Sequence, residues 1–386
     1  MIVHVFNSTL VSGPETLVLP ALSQIEGRVA VIFLSETRKL NEAQKPIQYA
    51  RSLGLSTVSV PVGGRYDRQA ISNLREVLVQ LKPEITHAHD VKASTYLLRS
   101  AESIQDRTFQ MVSTHHGVHA RSGLKNKLYE MYYTRFILPH YDQVFCVCSS
   151  DRKVLIQRGL NPDRVHTHLN GVNRRWVDRS ERLEVRNQIH TDWNLRSLGI
   201  SSQAILFGVV GRLAPEKRHD RLLKALAELK RLDSSLDWHL LCYGAGPLEA
   251  SLKRLTQKLD LGGQVHWMGY RKEIGNEMAG FDLLFSLSDA EGLPINLLEA
   301  GWAGTPVVAT HVDGNRDLFA RSKTGILIHR YQSAEAIARE IQRLVSHSKE
   351  RTELGFRFQK QVMSQFSEAV WLERLKELYR AGVTST

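Results

Sequence analysis

The sequence predicts an α/β protein built from two doubly wound, parallel sheets. Three observations predict it. Short apolar runs alternate with stretches of helical period along the whole chain. The runs are near-continuously apolar, as in strands covered on both faces. The length, 386 residues, suits two domains at about 100–200 residues each.

In chain order, residues 2–7, 29–35, 56–61, 85–89, 109–114, 144–149 and 165–169 read as strands of the first half. Leu74, Leu78 and Leu81 mark a helix face between two of them. Residues 204–211, 238–243, 265–269, 281–287, 306–310 and 325–328 repeat the habit in the second half. There Leu222, Leu226 and Leu229 share one helix face. The boundary is expected in 176–201, which is polar and without strand character. A first domain over 1–175, a second over 195–365 and a helical tail over 366–386 that packs back on the first are expected. Such sheets bind ligands outside the carboxyl ends of their strands.

Composition narrows the function. Net charge is +11, and residues 1–175 carry 22 Lys/Arg against 14 Asp/Glu, whereas 176–386 carry 29 against 26. The basic excess therefore lies in the first half, which suits anionic lipid or phosphorylated ligands. No nucleic-acid motif accompanies the charge, so nucleic acid is not an expected partner. The three cysteines have no zinc spacing, and Cys146 and Cys148, two apart on an expected strand, suit buried small hydrophobes in a reducing compartment. The start, MIVHVFNSTL, lacks the basic flank of a signal peptide, and no run reaches about 18 apolar residues. A cytoplasmic protein is expected, one held at most peripherally on the inner membrane face.

The richest segment runs from Ser286 to Gly301: SLSDAEGLPINLLEAG. A strand ends near Leu287, a loop carries Glu291, Gly292 and Leu293, and Pro294 suits a first helical position. The amides of Ile295, Asn296 and Leu297 then make an anion site fit for a diphosphate. Glu299 lies one turn on, within reach of ribose hydroxyls, and Glu291 within reach of a sugar. Either glutamate alone is an ordinary loop or helix residue. The whole string, between a strand and AGxxGxPVVA, is what points to a site. A second element, GVVGRLAPEK, ends a strand at Gly211 and places Arg212 and Lys217 in a turn before a helix expected to start near Pro215. Such cations balance a leaving diphosphate, the more so without a metal.

These two elements, with the Tyr243-Gly-Ala-Gly-Pro turn, resemble the retaining glycosyltransferases of GT-B fold, family 4, over nearly the whole chain. The resemblance implies an acceptor domain in the first half, a donor domain in the second and transfer with retained configuration. It implies that Arg212 and Lys217 hold the diphosphate, Glu299 the ribose and Glu291 the transferred sugar, with Tyr270 or Arg271 beside the base. In the first half it implies that His116, in Thr114-His-His-Gly117, lies near the sugar and that the loop at Gly13 approaches the phosphate. Pro14 stands where the family often has a second glycine. Asn170-Gly171-Val172 closes the first domain.

The expected partners are a nucleotide-sugar donor, UDP-linked by preference, and a saccharide or lipid-linked acceptor of cell-surface polysaccharide or lipopolysaccharide synthesis. No metal or cofactor is expected, since Asp-x-Asp is absent. His87-x-His89-Asp90 has a spacing a metal could use but reads as a strand end. Gly244-Ala-Gly246 lacks the third glycine of a dinucleotide fingerprint, and no P-loop occurs. Arg121, Lys125, Lys127 and Arg135 interleave with Tyr129, Tyr132, Tyr133 and Phe136, a pattern suited to a membrane interface or, equally, to aromatics in the core with the cations in water. The rival readings are a nucleotide-sugar 2-epimerase of the same architecture, a non-catalytic partner subunit that binds nucleotide sugar, and a nucleic-acid binder. The two glutamates oppose the first, and the intact Arg212, Lys217, Glu291 and Glu299 oppose the second.

Overall fold

A computed structural model of the chain describes residues 1–7, 11, 13–64, 66–116, 124–173, 181–192, 195–271, 274–275, 277–319 and 323–383. In chain order its elements begin with β1 (Ile2–Phe6), α1 (Gly13–Leu22), β2 (Val29–Glu36), α2 (Leu40–Ser52), β3 (Ser56–Val62), α3 (Arg68–Leu81), β4 (Ile85–Ala88) and α4 (Val91–Ala101). They continue with β5 (Gln110–His115), α5 (Leu124–Tyr132), β6 (Gln143–Cys146), α6 (Ser149–Gln157), β7 (Val165–Thr167) and α7 (Arg182–Asp192). Then come β8 (Ile205–Val210), α8 (His219–Leu232), β9 (Trp238–Tyr243), α9 (Glu249–Lys258), β10 (Val265–Gly269), β11 (Leu283–Ser286) and α10 (Ile295–Trp302). The chain closes with β12 (Val307–Thr310), α11 (Asp313–Phe319), β13 (Ile326–Ile328), α12 (Ala334–Ser346), α13 (Ser348–Gln365) and α14 (Glu368–Val383).

Every apolar run read as a strand contains one, and the chain forms two compact units. The first comprises Met1–Gly171 and Glu368–Thr386; the second is Val172–Ser367. Where the chain leaves for the second unit and where it returns, Val172 pairs with Ser367, and the Val172 N–H donates to the Phe366 carbonyl at 2.8 Å.

In the first unit the sheet order is β3-β2-β1-β4-β5-β6-β7, all parallel. Val3, Val5 and Ala88 pack with Leu74 and Leu78 of α3 and Tyr96 and Leu97 of α4. Phe6, Val31 and Phe33 lie in a second core with Leu17 and Leu22 of α1 and with Trp371, Leu372, Leu375 and Tyr379 of α14. One face of a sheet that begins the chain is thus covered by its last helix. In the second unit the order is β10-β9-β8-β11-β12-β13, again all parallel. Phe207, Val209 and Phe285 share a core with Leu222, Leu226 and Leu229 of α8 and Ile337, Ile341 and Leu344 of α12. In both sheets the order reverses beside the first strand, between β1 and β4 and between β8 and β11. Such a reversal opens a crevice for a ligand at the carboxyl edge.

Two local readings are corrected. The run 144–149 does not stay a strand: β6 ends at Cys146, opposite Thr167, the last residue of its neighbour β7. Cys148, extended, is the residue before α6, so it and Cys146 share no strand; both are buried and neither is in a disulfide. The turn after β8 is a 3-10 turn (Pro215–Lys217), and α8 starts only at His219 because Arg218 between them takes a left-handed backbone, φ 51°. Of the aromatics between Tyr129 and Phe136, Tyr133 takes the core alternative. It is buried, and its hydroxyl meets Ser113 Oγ at 2.7 Å. Arg121 and Gly117 lie outside the described residues, as do the side chains of Lys125 and Lys127. Among the described residues no helix is long and apolar enough to cross a membrane.

Candidate functional site

Because β8 and β11 are adjacent and parallel, the segments that follow them emerge side by side. After β8 come Gly211, Arg212 and the turn that carries Lys217; after β11 come Ser288 and Glu291, then α10. Lys217 Nζ lies 2.6 Å from Glu291 Oε1, which also accepts from Ser288 Oγ at 2.6 Å. The Asp289 N–H donates to the Glu216 carbonyl at 2.8 Å, and Arg212 pairs with Glu216 four residues on. Asn296 Nδ2 donates to the carbonyl of Val210, the last residue of β8, at 2.6 Å. Two loops from opposite sides of the switch point are thereby one hydrogen-bonded assembly.

Close backbone approach fixes both loops. A Cβ on Gly314, at the start of α11, would overlap the Gly292 carbonyl, and the Gly314 N–H donates to the Glu291 carbonyl at 3.2 Å. On the other side Gly244, at φ 142°, sits where a Cβ would strike the Gly211 carbonyl. Only glycine adopts that conformation at little cost. The Leu213 N–H completes this contact by donating to the Ala245 carbonyl at 3.1 Å.

The start of α10 differs from expectation in two respects. Pro294 is extended (ψ 119°) and precedes the helix as its cap, so Ile295 is the first helical residue. The Leu297 N–H is engaged by Asn296 Oδ1 at 3.0 Å and by the Pro294 carbonyl at 3.1 Å. The amides expected to face an anion reduce to those of Ile295 and Asn296, which have no acceptor within the helix. Glu299 follows on α10 and is buried, 8 % exposed. Leu293 is buried and packs in the same loop. Arg212, Lys217, Glu291, Gly292, Leu293, Pro294, Ile295, Asn296 and Glu299 are thus brought to one sheet edge. Tyr270 and Arg271 are not in that group. They follow edge strand β10, two strands from β8, about 10 Å at the usual strand spacing. Tyr270 is 68 % exposed.

His116 and Gly13 belong to the first unit. Gly13 opens α1, while Ser8 and Ser12 of its loop lie outside the described residues. His116 follows β5, and its Nε2 is buried with no described partner. It stands beside a cluster that the sequence did not disclose. His4 Nδ1 meets His89 Nε2 at 2.8 Å across the switch between β1 and β4. His87 meets the Tyr379 hydroxyl at 2.6 Å through Nδ1 and Thr114 Oγ1 at 2.7 Å through Nε2. His89 lies between the rings of Phe6 and His87, and His116 is 6.4 Å from it between ring centroids. Burial lowers the pKa of each: His4 to about 3, His116 to about 4, and His87 and His89 well below the usual value. The imidazoles are therefore neutral. Their nitrogens lie close enough to suggest an ion, but a shared metal needs about 2.0–2.1 Å to each nitrogen. The facing pair of His4 and His89, 2.8 Å apart, leaves room for a proton. Asp90 completes this edge. It accepts from the N–H groups of Asn7 (2.7 Å) and Ala93 (2.8 Å), and burial raises its pKa to about 6 against those bonds. A strand-period reading sees these histidines singly, whereas the cluster joins β1, β4, β5 and, through Tyr379, α14.

Comparison with known proteins agrees with this architecture. The family "Glycosyl transferases group 1" matches residues 192–361, and "Glycosyltransferase Family 4" matches residues 13–176. EpsD of Bacillus subtilis, named as a glycosyltransferase, is 26% identical over 80% of this chain and 79% of its own. The UDP-Gal:alpha-D-GlcNAc-diphosphoundecaprenol alpha-1,3-galactosyltransferase of Escherichia coli is 24% identical over 68% of this chain and 66% of its own. Among solved structures, HepE of Anabaena in complex with UDP and glucose superposes with a TM-score of 0.80 at 16% identity, over 99% of this chain and 100% of that one. With two sheets of this order and both family descriptions matched in sequence, the chain belongs to the family 4 glycosyltransferases of GT-B fold.

Proposed function

We propose that this glycosyltransferase moves a sugar from a UDP-linked donor, with retained configuration, to a saccharide or lipid-linked acceptor of cell-surface polysaccharide synthesis. The observation that carries the reading is the assembly of Lys217, Glu291 and the start of α10 at the β8/β11 switch point. A diphosphate placed there meets Arg212, Lys217 and the amides of Ile295 and Asn296. Lys217 has three N–H donors, one of them held by Glu291. Glu299 takes the ribose, Glu291 the sugar hydroxyls, and Tyr270 or Arg271 lies beside the base. The first unit is assigned to the acceptor, with His116 given a role toward the sugar and Gly13 toward the phosphate.

No side chain is placed as a nucleophile. In a front-face route the C1–O bond to the diphosphate breaks as the C1–O bond to the acceptor forms, and a diphosphate oxygen takes the hydroxyl proton. Arg212 and Lys217 supply the positive charge that stabilises the departing group, so no metal is required in this reading. A UDP donor agrees with the structures of HepE in complex with UDP and with UDP-glucose. Lipid-linked and polymeric acceptors agree with the names of the Escherichia coli enzyme and of a Staphylococcus aureus poly(ribitol-phosphate) N-acetylglucosaminyltransferase. Contact with an anionic membrane is also part of the proposal. Leu128, Met131 and Phe136 of α5 and the turn after it are each 51–52 % exposed, and Arg135 lies among them. Sedimentation with anionic vesicles tests that part, and loss of binding in Phe136→Ser is the expected result.

The test of the donor site is a thermal-shift screen of UDP, GDP, ADP and their sugar conjugates without metal. At 100 times its Kd a ligand specific to the native state adds about 2.7 kcal/mol. A shift with UDP compounds that disappears in Arg212→Ala is expected. A chain that answers to none of them, with or without acceptor, refutes the reading.

A further inference from the structure

A second concentration of positive charge lies in the unit Val172–Ser367, in residues the donor site does not use. Arg218, Arg221 and Lys224 stand at the start of α8, and Arg330 follows β13. Together with Asp220, Tyr331, Gln332 and Ala334 they line an open cavity of about 290 Å³. Lys217 and Arg218 are neighbours in sequence yet take different carboxylates, Glu291 and Asp289, at 2.6 and 2.9 Å.

The charges in this cavity do not balance. Asp289 accepts from Arg218 Nη1 at 2.9 Å and from Arg221 Nη2 at 2.8 Å, and Arg330 Nη2 stands 3.8 Å from it. Asp220 accepts from Arg218 Nε at 3.0 Å and has Lys224 Nζ at 3.8 Å. Two carboxylates thus face four cations, an excess of two positive charges. The outer pair is the less satisfied. Arg330 Nε is buried with no described partner, its guanidinium lies 5.2 Å from the centre of the Tyr331 ring, and among the described residues Lys224 has only its long contact.

Helix dipoles add to the excess. α8 begins at His219 with no side-chain cap, because its cap residue is Arg218 in the left-handed region. α12 begins at Ala334, on the cavity wall, where Ser333 Oγ accepts from the Ala336 N–H at 3.2 Å. Cations at the N-terminus of a helix oppose its dipole, and here two helix starts and four cations share one hollow. An anion relieves that repulsion, and an oxygen-rich dianion matches both the charge and the forked guanidinium donors.

We propose that this cavity is a second anion site, which takes the dianionic phosphate of a phosphate monoester while the diphosphate site holds the nucleotide. The cavity exceeds a bare phosphate, so part of the attached polyol or sugar enters with it. The inference does not depend on the donor assignment, since it rests on other side chains.

The test is titration of the full chain with inorganic phosphate and with glycerol 3-phosphate, at about 0.15 M ionic strength, both without UDP and with it. Calorimetry is expected to give a Kd of about 1 mM or tighter, at least about tenfold weaker in Lys224→Gln/Arg330→Gln, with unchanged Tm and UDP affinity. Lys224→Glu, a single change on an exposed side chain, serves if the double variant does not fold, and is expected to weaken binding in the same direction. Phosphatidylcholine vesicles doped with phosphatidic acid separate the sources. Retention by these vesicles in the wild type but not the variant marks a lipid-borne monoester, and binding of glycerol 3-phosphate alone marks a soluble one. Equal affinity in wild type and variants, or no binding of either phosphate compound, overturns the proposal. Heat that sulfate or chloride reproduces equally overturns it as well.

Discussion

Asn296 on α10 donates from Nδ2 to the carbonyl of Val210 at 2.6 Å, while its Oδ1 accepts from the Leu297 N–H at 3.0 Å. One side chain therefore both closes the end of β8 and shapes the first turn of α10. The loops that carry Lys217 and Glu291 keep their spacing through it.

Asn296→Ala removes both bonds. Each is worth about 0.5–1.5 kcal/mol, so UDP affinity is expected to fall about three- to tenfold with a small loss of Tm. Calorimetry with UDP and a melting curve check this. Unchanged UDP binding would separate the tie from the ligand site.

Gly314→Ala places a methyl group against the Gly292 carbonyl. Overpacking of this kind costs about 1–3 kcal/mol. A fall in Tm of several degrees with weakened UDP binding is expected, and both are read from one melting series. A neutral substitution would mean that the Glu291 loop shifts freely.

Lys217→Ala and Glu299→Ala test how work is divided in the proposed donor site. The first is expected to lower turnover by two to three orders of magnitude, about 3–4 kcal/mol of transition-state stabilisation. The second is expected to weaken nucleotide binding more than turnover. Steady-state kinetics with a UDP-sugar tests the division, and wild-type values for both variants would remove these residues from the site.

Acid is expected to destabilise the unit that holds His4, His87, His89, His116 and His168. Burial holds all five pKa values below 6.5, with His168 at about 4. Below pH 6.5 the unfolded chain takes up protons that the folded state refuses. Stability is thus complete above that pH and falls as pH drops towards 4, by up to about 1.4 kcal/mol per pH unit for each histidine. Asp90, at about 6 when folded, opposes this over the same interval with one proton. Urea midpoints at pH 7.5 and 5.5 measure the slope, and His4→Phe is expected to flatten it. A slope that ignores the substitution would place the acid sensitivity elsewhere.

The strands were legible because parallel strands buried on both faces need no alternation to be seen. Trp238–Tyr243 and Val265–Gly269 coincide with their apolar runs. Cys148 misled because an apolar run continues past the last residue its neighbouring strand can pair. The Ser286–Gly301 segment was legible since strand end, loop glutamate and helix start are local. The tie from Asn296 to Val210 and the overlap of Gly314 with Gly292 were not, because each joins residues brought together only by sheet order. The histidine cluster was hidden for the same reason. Tyr379 is separated from His4 and His87 by most of the chain, and no short-range pattern records that it closes the face of a sheet begun at Ile2.

That closing helix gives the chain an order of events. Trp371, Leu372, Leu375 and Tyr379 leave the ribosome only after residues 172–367 have been made, roughly 10–40 s after Gly171 at about 5–20 residues per second. During that interval the first sheet has one face covered by its own helices and the other still lacking α14. The second unit, uninterrupted in sequence, can complete its core first. A chain ended at Ser367 is accordingly expected to keep its second unit resistant to protease while the first is cut. Equal resistance of both units would show that the first closes without its final helix.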